Sequence, residues 1–70
     1  MFIPNNHGRN VGDRVRITSD VKVLRGTYTA GHRFTVVSRG PRGLDLVDDD
    51  GNKLLETGLI DSLIVPDNGR

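Results

Sequence analysis

Seventy residues with 34% hydrophobic side chains, no cysteine, no tryptophan and a formal net charge of +1 leave few function classes open. A chain this short holds one core and buries only about 60% of its unfolded surface; without cysteine it has no disulfide staple, no thiolate nucleophile and no thiolate zinc site. One Tyr and two Phe throw the core onto Val, Leu and Ile, residues that suit pleated strands.

The small net charge conceals a division. Residues 1 to 43 carry eight cations against two acids, a balance of +6, and residues 44 to 70 carry two cations against seven acids, a balance of −5. Antiparallel strands interleave, so sequence halves need not become spatial halves. The start, Met1-Phe2-Ile3-Pro4-Asn5-Asn6, has neither the basic flank nor the apolar run of a signal peptide, and no later run is long enough to span a membrane. The expectation is a cytoplasmic chain with no membrane partner. Residues 1–9 and 66–70, rich in Pro, Asn and Gly, are expected to be flexible ends around one domain at 10–65.

In chain order, Val11, Val15 and Ile17 are expected on one face of a first strand, with Arg14 and Arg16 on the other, because strand side chains alternate with period two. From Asp20 to Gly31 the alternation weakens. Val21 and Val23 suggest a short apolar edge, and Arg25-Gly26-Thr27 and Ala30-Gly31 punctuate it like turns. Regularity returns at His32–Ser38, where Phe34 and Val36 point inward and Arg33, Thr35 and Val37 outward.

Arg39-Gly40-Pro41-Arg42-Gly43 predicts a turn, since proline fixes φ and glycine accepts backbone conformations that other residues resist. Leu44 and Leu46 then face inward, Asp45 and Val47 outward, and Asp50-Gly51 is the strongest hairpin signal in the chain. Leu54, Leu55 and Glu56 form the return strand. Asp61-Ser62-Leu63-Ile64-Val65 starts as one helical turn and ends as a last short strand, which Pro66 stops.

Five strands with a long first excursion, tight hairpins, a helical turn and a closing strand predict an all-β fold, a small five-stranded SH3-like barrel with a single helical turn near the C-terminus. An oligonucleotide-binding barrel needs longer strands and a helix for which there is no room. Val11-Gly12-Asp13-Arg14-Val15-Arg16 resembles the first strand of bacterial SH3-like domains, including KOW modules. Gly31-His32-Arg33-Phe34-Thr35-Val36 resembles the KOW pattern, with Phe34 where its second glycine belongs. The resemblance implies a fold and, by analogy, a binding role.

Chemistry is sparse. His32 with Asp45 and Ser38 is the nearest approach to a catalytic set, but a barrel filled by its own side chains offers little concave volume, and no catalytic residue is expected. Counted as a calcium loop from Asp48, the acidic tip puts Lys53 at position 6 and Leu59 at position 12, where glycine and glutamate are needed. No metal or cofactor is expected. Five outward arginines, Arg14, Arg16, Arg33, Arg39 and Arg42, are the candidate partner-binding residues, since guanidinium groups pair bidentately with phosphate or carboxylate.

Tyr28 is the one exposed aromatic expected, too few for base stacking or for a proline-binding groove. The expected function is a small non-catalytic module that binds a protein partner, as an adaptor, an assembly subunit or a phage-type inhibitor of a host enzyme. The alternative is a nucleic-acid or ribonucleoprotein accessory module meeting phosphate through the arginines. Self-association through an open edge strand is a further expectation. A row of Ile60, Ile64 and Val65 beside Val37 and Val47, if exposed, would mark the protein interface.

Overall fold

In the computed structural model, residues 10–67 are described, and the expectation of flexibility for residues 1–9 and 68–70 lies outside them. Seven strands and one short helix follow one another: β1 (Arg14–Ile17), β2 (Val21–Val23), β3 (Gly26–Tyr28), β4 (Arg33–Gly40), β5 (Gly43–Val47), β6 (Lys53–Leu54), a 3-10 helix (Thr57–Leu63) and β7 (Ile64–Pro66). The fold is all-β, as the alternation predicts. The strands form two open sheets rather than a closed barrel: a five-stranded sheet in the order β6-β5-β4-β1-β7, and a separate β2-β3 hairpin.

The count exceeds five because the long excursion is itself a hairpin. Val21 pairs with Tyr28, Lys22 with Thr27 and Val23 with Gly26, so Leu24-Arg25 is the turn, and Gly26 and Thr27, read from sequence with Arg25 as turn punctuation, belong to a strand. In the large sheet β4 is central, and β1 lies between β4 and edge strand β7, antiparallel to both. The ladder does not stop at Pro66. Pro66 pairs with Val15, and the Asp67 N–H donates to the Arg14 carbonyl at 2.9 Å; proline is tolerated there because β7 is an edge strand.

Val15, Ile17, Phe34, Val36, Leu44, Leu46, Leu54 and Ile64 are buried, joined by Val21 of β2. Val15, Ile17, Phe34, Val36, Leu44 and Leu46 are inward positions that alternation assigns, and one assigned position fails. Val11, expected on the wall with Val15 and Ile17, is 62% exposed. Residues 11 and 12 form a turn, with Gly12 at φ +95°, so the period-two pattern begins only at Arg14.

The 3-10 helix is longer than the single turn expected, and non-helical backbone at Ile60 divides it in two. It is anchored from within: the buried Thr57 hydroxyl accepts the Leu44 N–H at 3.1 Å, and the Thr18 N–H donates to the Leu63 carbonyl at 2.8 Å. Gly43 and Gly58 make the close approach that seats it. Gly43 has φ +113°, and a Cβ there would stand 2.8 Å from the Gly58 Cα, so only glycine lets the β4–β5 turn lie against the helix. No helix among the described residues is long and apolar enough to cross a membrane.

Candidate functional site

The five predicted arginines do not form one patch. On the outer face of the large sheet, β1 and β4 bring Arg14 opposite Thr35 and Arg16 opposite Arg33. A register shift between Val36 and Ser38 then intervenes, pairing Ser38 with Asp45 and Arg39 with Leu44. Val37 is the extra residue of a β-bulge. It resets the alternation, so Arg39 leaves the face of Arg33 and sits in register with buried Leu44, its guanidinium reaching Asn10 Oδ1 at 3.4 Å. Arg42 lies in the β4–β5 turn, away from both.

Three of the five are engaged by acids of the C-terminal half. Arg14 Nη1 and Nη2 meet Asp49 Oδ1 and Oδ2 at 2.9 and 3.4 Å, and Nη1 also donates to Thr35 Oγ1 at 2.8 Å. That side-chain hydrogen bond raises the Arg14 pKa and lowers the Asp49 pKa. Arg33 Nε lies 3.2 Å from Asp67 Oδ2, and Arg42 Nη1 3.7 Å from Glu56 Oε1. Arg16 donates to the Pro66 carbonyl at 2.9 Å. The basic and acidic halves of the sequence are therefore interlocked at these positions, because antiparallel pairing carries later acids beside earlier arginines.

The polar groups read for chemistry also serve the scaffold. His32 meets Asp48, not Asp45: its Nε2 lies 2.8 Å from Asp48 Oδ2. Asp48 is buried and accepts in addition from the Asp50 N–H, the Asn52 N–H and the Asn52 amide. Burial pushes its pKa up, but the Asn52 amide, His32 and the two backbone donors outweigh it and bring the value to about 2. As an ionised carboxylate Asp48 only accepts, so His32 Nε2 is the donor in this bond. The side chain ties the β5–β6 turn, in which Gly51 takes φ +87°.

Ser38 Oγ donates to Asp45 at 2.5 Å, and Asp45 also accepts the Glu56 N–H at 3.0 Å. The Ser38 bond, then the Glu56 bond, lowers the Asp45 pKa against the opposing effect of burial. Tyr28, expected exposed, is half-buried: its ring packs edge-on to Phe34 at 5.1 Å and beside His32 at 4.9 Å, and its hydroxyl donates to the Lys53 carbonyl.

The expected apolar row is not formed either. Ile64 is 3% exposed and Ile60, Val65 and Val47 are half-buried, which leaves Val37, at 47%, the one member of the row in solvent. The large apolar side chains left in solvent are elsewhere. Leu24 is 107% exposed at the tip of the β2–β3 hairpin, Leu55 is 55% exposed just after β6, and Leu59 is 101% exposed on the helix.

Leu24 and Leu55 line the same groove, of about 710 Å³, between the β2–β3 hairpin and edge strand β6, together with Arg25, Tyr28, Lys53 and Leu54. Arg25 and Lys53, and Lys22 on β2, meet no carboxylate among the described residues. The sequence reading missed this groove because it gave residues 20–31 only a short apolar edge at Val21 and Val23 and no pairing strand after it. The available signal was Leu24, a large apolar residue at a hairpin turn where polar residues prevail.

No protein-family model matches the chain, and no curated protein or solved structure matches it.

Proposed function

We propose that this chain is a small, non-catalytic interaction module that binds a protein partner, and that it does so at the groove between the β2–β3 hairpin and β6. The observation that carries this reading is the pairing of two solvent-facing leucines, Leu24 and Leu55, with two cations, Arg25 and Lys53, that meet no acid among the described residues. Exposed apolar side chains rimmed by polar ones mark contact surfaces. The scaffold is read as SH3-like on its strand order: a long excursion after β1, tight hairpins β4–β5 and β5–β6, a helical turn, and a last strand returning to β1. The cytoplasm is the proposed compartment, in keeping with the absence of cysteine.

A nucleic-acid role has one observation in its favour, Arg16 facing Arg33 across β1 and β4. Against it, Arg14, Arg33 and Arg42 would have to leave Asp49, Asp67 and Glu56 to meet phosphate. The two readings separate in a nuclease-treated lysate. The wild-type chain and the Arg16→Ala/Arg33→Ala variant should recover the same protein, and the Leu24→Asp/Leu55→Asp variant should lose it. Recovery of nucleic acid alone, or a partner lost with the arginines and kept with the leucines, overturns the proposal.

A further inference from the structure

We infer that the partner docks as an extended acidic segment, bearing apolar and Asp/Glu side chains, that adds a strand along the outer edge of β6. This rests on the proposal that the groove is the binding surface and goes further in naming the occupant's conformation and charge.

The backbone supplies the first argument. Asn52 turns toward β5, where its carbonyl accepts the Asp48 N–H at 2.9 Å. Backbone groups alternate along an antiparallel strand, so Leu54, paired with Leu46, also faces β5, while Lys53 turns its groups outward. The Lys53 carbonyl confirms the direction by accepting the Tyr28 hydroxyl at 3.1 Å. That leaves the Lys53 N–H facing the groove, on a strand that ends the sheet, with Leu55 following beyond the strand's end. Such an edge is a template for an added strand, whose main chain supplies affinity and whose alternate side chains supply specificity.

Charge supplies the second argument. Arg25 on the hairpin wall and Lys53 on the β6 wall face one groove and meet no described acid, while exposed Asp50 stands beyond its end at the β5–β6 turn. A segment lying along β6 would place its acids beside these two cations and its apolar residues on Leu24 and Leu55. A basic segment would meet like charge, which is costly at close range.

The test is selection of peptides from a random phage library on the full-length chain, followed by affinity measurement with synthetic copies of the enriched peptides. Enriched sequences should combine apolar and acidic residues. Methylating the peptide backbone nitrogen at every second position should weaken binding by about tenfold or more through lost main-chain bonds, while methylation at the intervening positions should do little. Arg25→Glu/Lys53→Glu should weaken the same peptides by a similar factor.

Enriched peptides that depend on Leu24 and Leu55 but are indifferent to backbone methylation, or that are basic, overturn the added strand and leave the groove standing as a docking site. Failure to enrich any peptide, or enrichment of peptides indifferent to Leu24→Asp/Leu55→Asp, overturns both. A concentration-dependent dimer in sedimentation, abolished by Leu24→Asp/Leu55→Asp, would assign the groove to a second copy and also overturn the inference.

Discussion

The outer face of β1, β4 and β7 and the groove beside β6 both carry cations, yet only the first is neutralised. Arg14 on β1 meets Asp49, which follows β5, and Arg33 on β4 meets Asp67, which follows β7, so each acid arrives from two strands away in the same sheet. Arg25 sits on a hairpin that pairs only with itself, and the stretch across the groove from it, Gly51–Leu55, carries no acid. What decides whether a surface cation is available to a partner is its place in the strand order, not the local density of arginine. The arginine-rich stretch from 33 to 42 looks the more promising in sequence and is the more committed in the fold.

The largest effects should separate the framework from the groove. Phe34 is fully buried and packs against Tyr28 and His32, so Phe34→Ala should cost about 3–5 kcal/mol in urea denaturation. Leu24→Ala should change stability by less than about 0.5 kcal/mol. A comparable loss at Leu24 would mean that it is a packing residue and that the contrast is misplaced. Next comes the junction of helix and sheet. Thr57→Val keeps the shape but strands the Leu44 N–H, and should cost about 1–3 kcal/mol; a neutral result would show that this bond does not hold the helix against β5.

Acid gives the gentlest probe, acting on the tied carboxylates and sparing the groove cations. Asp48 has its pKa lowered from 3.8 to about 2. A carboxylate depressed by folding stabilises fully above its unfolded pKa and loses that contribution as pH falls toward its folded one. Asp49, lowered by Arg14, acts in the same sense. Stability should therefore decline as pH drops from 3.8 toward 2, and Asp48→Asn should flatten that decline while leaving peptide binding at neutral pH intact. An unchanged acid limb in Asp48→Asn would remove Asp48 from the account.

Much of the framework was legible in the sequence because single-period alternation reports burial directly. Arg14–Ile17, Phe34–Val36 and Leu44–Leu46 each present inward apolar residues one position apart from polar ones, and Asp50-Gly51 marks the turn between β5 and β6. What escaped depends on where alternation is broken or absent. Gly12 detaches Val11 from the wall it nominally continues. Gly26-Thr27-Tyr28 carries no hydrophobic period and becomes a strand only because Val21–Val23 lies beside it.

The candidate site was less legible than the fold. Arg14, Arg16 and Arg33 do share the predicted outer face, but their acids lie 35, 50 and 34 positions away or are backbone carbonyls, distances at which local pattern carries no information. The pairing of Leu24 with Leu55 in one groove is likewise a property of the two sheets' arrangement.

The bulge at Val37 makes part of the outcome depend on counting residues rather than on which residues they are. Between Val36 and Gly40, β4 holds one residue more than the facing stretch of β5, and the bulge absorbs that surplus, so Ser38 still meets Asp45 and Arg39 still meets Leu44. Deleting Val37 would remove the unpaired residue and leave both of those pairs in place. A plain count from Arg33 puts Arg39 on the arginine face only while the surplus is ignored, so the length of this segment is as much a determinant of the surface as the arginines it contains.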